Sequence, residues 1–143
     1  MPYAALILGY LGLIPFVGLA AAVIAGPASL GPSAAFALLA YGATILSFLG
    51  GVHWGLAIAA SALPPSQRAW VLTVSVIPQL LGWSALLAPS PFGFALMAMG
   101  LVGVLAIDAG AARAKLAPNW FMALRWPLSC AAAAALIVTA LAM

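Results

Sequence analysis

Long apolar runs punctuated by proline and glycine organise this chain, with no stretch of alternating apolar and polar positions. A helix needs roughly 20 apolar residues to cross a hydrocarbon core about 30 Å thick. Measured against that length, the runs predict five membrane spans near residues 3–25, 34–61, 68–88, 92–112 and 120–142. The connectors are short: Gly26 to Ser33, Pro64 to Gln67, Pro89 to Pro91 and Ala111 to Asn119. Short connectors make consecutive helices antiparallel neighbours, so the expected fold is all-α, an up-and-down bundle forming a single transmembrane domain over residues 1–143. A membrane β-barrel would show alternation over about ten residues per strand, which is missing here.

Composition sharpens this picture. The chain is 68% hydrophobic and has four Lys or Arg, one Asp or Glu and one His in 143 residues. Five spans use nearly all of that length, so no soluble domain is expected. Arg68 lies at the second connector, and Arg113 and Lys115 lie in the fourth, while Arg125 sits just inside the fifth span at that same end. The positive-inside rule therefore places the N-terminus and the basic connectors in the cytoplasm. No Lys or Arg precedes Arg68, so the first apolar run lacks the basic leader of a signal peptide and reads as a retained span. The net charge of +3 is thus an orientation signal, and no nucleic-acid partner is expected. The one cysteine, Cys130, lies in an apolar run and reads as a small packing residue.

In the second span, Ala43, Ser47, Gly51, Gly55 and Ala59 recur at every fourth position and form one slightly drifting stripe. Gly51 and Gly55 make a GxxxG pair. Small residues allow the close backbone approach that drives helix association in lipid, so this stripe is expected to pack the fold or a dimer. His53 lies roughly 160° around the helix from it, at about 100° per residue. It shares a second face with Gly42, Leu46, Leu49, Gly50 and Leu56. An imidazole facing lipid would cost a few kcal/mol, so His53 is expected to point into the bundle. There it serves either as a satisfied structural histidine or as a ligand-binding or proton-relay group, with Trp54 as a wall of any internal pocket. A haem site is disfavoured, because one His per chain cannot supply two axial ligands. No metal site is expected.

Asp108, the sole carboxylate, lies about a turn from the cytoplasmic end of the fourth span, and leaving it ionised and unpaired there would be expensive. Arg125 enters the fifth span at a similar depth, and His53 lies roughly two turns in from the same side. The three could converge, with an Asp108–Arg125 pair clamping the fourth and fifth spans. Arg113 and Lys115 are rival partners for Asp108, and Arg125 could instead snorkel to headgroups. Pro15 and Pro78 should kink their spans, each freeing a carbonyl one turn earlier. Ser75 and Gln79 make a polar step in the third span, expected to stitch helices together.

The run Tyr41-Gly42-Ala43-Thr44-Ile45-Leu46-Ser47-Phe48-Leu49-Gly50-Gly51-Val52-His53-Trp54-Gly55 resembles the hallmark of a family of small membrane proteins of unknown function. That family is found in proteobacterial inner membranes and has a mitochondrial transmembrane relative. The resemblance extends to Leu11 through Phe16, Pro78, Asp108, Pro118-Asn119-Trp120-Phe121 and Leu124-Arg125, and so covers most of the chain. Where the family pattern leads one to expect tyrosine after that tryptophan, Phe121 lacks the hydroxyl. The resemblance implies a multi-span bundle and brings no activity or cofactor with it.

No HExxH, second acidic residue, nucleotide loop or complete Ser/His/Asp set is visible, so enzymatic chemistry is not expected. The first functional expectation is a non-enzymatic accessory, assembly or scaffold component of a membrane complex. Its partners would be the bilayer and either another membrane protein or further copies of the chain, in a bacterial inner membrane or, in a eukaryote, the mitochondrial inner membrane. The alternative is a binder or carrier of a lipophilic small molecule, quinone-like or lipid, in a pocket around His53, Asp108 and Arg125. A minimal proton or solute transporter ranks last, because no internal repeat is visible.

Overall fold

The computed structural model describes residues 1–143 as helices joined by short connectors. The first span is two helices, α1 (Tyr3–Leu11) and α2 (Leu13–Ala25), and the second is the unbroken α3 (Gly31–Ala59). The third is again two helices, α4 (Pro65–Ser75) and α5 (Ile77–Leu87), followed by α6 (Phe92–Arg113) and α7 (Phe121–Ala142). All five spans are long and apolar enough to cross a membrane. The second and third begin three residues before the expected 34 and 68, because Pro32 and Pro65 fall in the first helical turn. There the missing N–H costs nothing and the fixed φ suits the helix, so proline opens these spans rather than ending the connectors before them.

Prolines also account for the two broken spans. Pro15 cannot donate to Leu11 and crowds its carbonyl, and the first span breaks just there, at Gly12. The Tyr41 hydroxyl donates to the Gly12 carbonyl oxygen at 3.0 Å, tying the break to α3. Pro78 acts likewise on Val74, and the third span breaks at Val76, whose N–H reaches the Thr73 oxygen at 3.3 Å. That break leans on α3 through Gly50, where a Cβ would collide with the Ser75 carbonyl oxygen. Only glycine lets the two backbones approach so closely.

The five spans close into a ring in chain order. α2 packs on α3, α3 on α5, α5 on α6, α6 on α7 and α7 back on α2, with α3 and α6 also touching across the middle. Phe16, Leu38, Leu46, Phe94, Met97, Leu101 and Leu136 fill the centre. Lipid tails are as apolar as these side chains, so their contribution is close packing rather than transfer from water.

The small-residue stripe is not what packs this bundle. Ala43 meets Gly82 of α5, but Ser47, Gly51, Gly55 and Ala59 are exposed, and a Cβ on Gly51 or Gly55 would meet nothing within 4 Å. The face that carries His53 is the packed one, through Gly42 against Met97 and Gly50 against Ser75. α3 is therefore buried on one side and not on two. Cys130 is exposed, not packed. Gln79 is exposed and stitches nothing, while the Ser75 hydroxyl bonds within its own helix to the Leu72 oxygen at 2.7 Å.

Candidate functional site

His53, Asp108 and Arg125 meet. Each lies four to six residues from the end of its helix on the basic side of the bundle, which puts all three at about 6 to 9 Å of depth along their axes. The residual exposures are 1% for His53, 1% for Asp108 and 8% for Arg125. Arg125 Nε donates to Asp108 Oδ2 at 2.7 Å, clamping α7 to α6. His53 Nε2 stands 2.9 Å from Asp108 Oδ1, bringing in α3. The ring N–H is turned off that line, so no aligned hydrogen bond forms. The contact is a close polar approach.

The rival partners for Asp108 are elsewhere. Arg113 and Lys115 are exposed at the end of α6, where Lys115 takes a left-handed φ of 56°. The N–H groups of Lys115 and Leu116 bond the Ala112 and Ala111 oxygens, closing the helix as a Schellman motif. Arg68 donates to the Ala60 and Ser61 oxygens at 2.9 and 3.3 Å and so caps the end of α3. Arg125 is thus the one cation drawn inside, and snorkelling does not describe it. Trp54 is 45% exposed and lines neither of the cavities beside the cluster. One residue on from His53, it is turned about 100° away from the interior.

Two cavities flank the cluster. One, of about 360 Å³, lies among α1, α2, α3 and α7, and Arg125 and Ser129 are on its wall. The other, of about 540 Å³, lies among α3, α4 and α6, and His53 is on its wall with Gln67 and Trp70. Asp108 lies between the two wall residues, touching both. Because Arg125 engages Asp108 through Nε, its terminal nitrogens are left over. Nη2 is buried without a partner, as is Ser129 Oγ one turn further along α7. Sequence reading missed Ser129. Its signal was the spacing of four residues from Arg125, which puts both on one helix face.

Chemically, the cluster offers a guanidinium fixed by a carboxylate, with spare donors beside an apolar wall. Buried donors of this kind are expensive unless a partner meets them. No set of three or more metal-ligating side chains is gathered anywhere in the structure.

Fold and cluster together define a five-span helical membrane protein with one buried ionic centre near its basic end. The chain belongs to the family described as Protein of unknown function (DUF3429), whose model matches residues 1–141, in agreement with the resemblance carried by Tyr41 to Gly55. It is similar to Transmembrane protein 69 of Xenopus tropicalis, with 44% identity over 139 residues, 95% of this chain and 53% of that protein. Transmembrane protein 69 of Mus musculus is 32% identical over 126 residues, 87% of this chain and 50% of that one. The chain therefore spans about half the length of these relatives. No solved structure matches it.

Proposed function

We propose that this protein is a non-enzymatic binder of a lipophilic small molecule, held in the cavity that Arg125 and Ser129 line. The carrying observation is the pair of buried, unpartnered donors, Arg125 Nη2 and Ser129 Oγ, in side chains on the wall of a mostly apolar cavity of about 360 Å³. A cavity of that size and polarity falls within the range of small-molecule sites, where a few placed polar groups orient an otherwise apolar ligand. Asp108 holds Arg125 in position, and His53 closes the far side of the carboxylate. We place the protein in the bacterial inner membrane, or in the mitochondrial inner membrane if the chain is eukaryotic, on the strength of the family resemblance. Native mass spectrometry of the protein, gently extracted from its own membrane, tests the reading. A reproducible adduct that is lost in Ser129→Ala and Arg125→Lys supports it, and identical adduct content in all three proteins refutes it.

A second reading is an accessory component of a membrane complex, favoured by the outward stripe of Ser47, Gly51 and Gly55. These residues have nothing to pack against within the chain. In the same experiment this reading appears as a large heteromeric particle that dissociates in Gly51→Leu.

A further inference from the structure

We infer that the cavity beside Arg125 selects a neutral, ring-borne carbonyl oxygen, the head-group chemistry of a quinone, over a fatty-acid carboxylate or an alcohol. This inference rests on the binding reading above and adds the class of ligand.

Three features carry it. The first is charge. Arg125 is the sole charged residue on the cavity wall, and its charge is already balanced by Asp108 at 2.7 Å. Arg68 is committed to backbone carbonyls, and Arg113 and Lys115 are exposed beyond the helix end. An anionic head group would therefore bring a net negative charge into a buried place without a spare cation, which a low-dielectric site penalises heavily.

The second feature is the sense of the hydrogen bonds. Guanidinium nitrogens only donate, and the Ser129 hydroxyl can donate alongside them. The acceptors nearest to hand are the two oxygens of Asp108, one bonded to Arg125 and the other faced by His53. A carbonyl oxygen can accept from both donors once their side chains rotate toward it, each being closed off where it stands, and asks for nothing in return. An alcohol can be met as well, because the Ser129 oxygen also accepts, so it is the ring contacts of the wall and not the sense of the hydrogen bonds that set a carbonyl-bearing ring above it.

The third is the shape of the wall. Phe16, Phe48, Trp120 and Phe121 all line this cavity, converging from α2, α3 and the start of α7. Aromatic side chains pack best in offset or edge-to-face contact with another ring, which favours a flat head group over a plain acyl chain. The same cavity is at the small end of the range for ligand sites, so it fits one ring and the start of a tail rather than a two-chain lipid.

The test uses the full chain in nanodiscs of ether-linked phosphatidylcholine, whose lipids carry no ester carbonyl to compete. A decyl-substituted benzoquinone, palmitate and hexadecanol are titrated in turn, read by quenching of tryptophan fluorescence for the quinone and by its displacement for the other two. The expected result is that the quinone binds at least tenfold more tightly than either competitor. Ser129→Ala, a small change that the fold should tolerate, is expected to weaken it by about three- to tenfold, the worth of one hydrogen bond. Palmitate binding as tightly as the quinone, with the same sensitivity to Ser129→Ala, overturns the head-group assignment and leaves the cavity as a binding site. Quenching that does not saturate and is identical in wild type and Ser129→Ala, with no displacement by either competitor, overturns both.

Discussion

Asp108 and Arg125 can be tested as a pair by removing each charge alone and then both. In Asp108→Asn, the guanidinium is left 92% buried with no counter-ion, the 92% being the complement of its 8% exposure. In Arg125→Gln, the carboxylate keeps only the misaligned imidazole of His53. Losing one member of a buried pair typically costs 3 to 5 kcal/mol, because the survivor is an uncompensated charge. Each single variant should therefore lose about 3 kcal/mol, since a neutral amide can still exchange one hydrogen bond with the remaining partner. The double variant buries no charge at this spot and should lose no more than either single, at most about 3 kcal/mol against the additive sum of about 6, which gives a coupling of at least about 3 kcal/mol. Unfolding titrations in mixed micelles, increasing the mole fraction of a denaturing detergent and following tryptophan fluorescence, measure all four corners of the cycle. A double variant that loses the sum of the singles to within about 0.5 kcal/mol would refute direct pairing.

Neighbouring glycines on α3 should behave oppositely. Gly50→Ala drives a Cβ into the Ser75 carbonyl and should cost about 1 to 3 kcal/mol, whereas Gly51→Ala meets open space and should be neutral or stabilising by up to about 1 kcal/mol, both read in the same titrations. Lys115→Gly relieves a left-handed φ of 56° and should raise stability by about 0.5 to 1 kcal/mol; a loss would mean that the turn is held by the lysine side chain. Tyr41→Phe removes the hydroxyl that satisfies the Gly12 oxygen and should cost about 0.5 to 1.5 kcal/mol, with faster amide exchange confined to the break between α1 and α2.

Much of this arrangement was legible in the chain itself, because a bilayer imposes its length scale on every span and its penalty on every charge. Counting residues from the basic end placed Asp108 and Arg125 about one turn in and His53 about two, near enough to converge, and they do meet. Helix faces were harder to assign. α3 carries two candidate packing surfaces, one with Ala43, Ser47, Gly51 and Gly55 and another with Gly42, Leu46, Gly50 and His53. Small residues license close approach without saying which neighbour will come close. The His53 face is chosen by the broken third span, whose carbonyl at Ser75 is pressed into the gap at Gly50. Trp54 went astray for a related reason, since adjacency in sequence is a turn of about 100° on a helix. The cavities were invisible, because they are the spaces left by helix separation, and no local pattern encodes that. Ser129 could have been flagged from its spacing to Arg125, had the outcome at Asp108 been known.

The shallow placement of the ionic centre also fixes how it responds to the membrane voltage. His53, the deepest of the three, is six residues from the end of α3, about 9 Å of a hydrocarbon core about 30 Å thick. A unit charge arriving from the basic face crosses at most about three-tenths of the field, and since the full drop is worth about 2.3 kcal/mol per 100 mV, the change is at most about 0.7 kcal/mol. A neutral ligand feels none of it. Occupancy of this centre should therefore follow ligand concentration in the bilayer and be nearly indifferent to whether the membrane is energised.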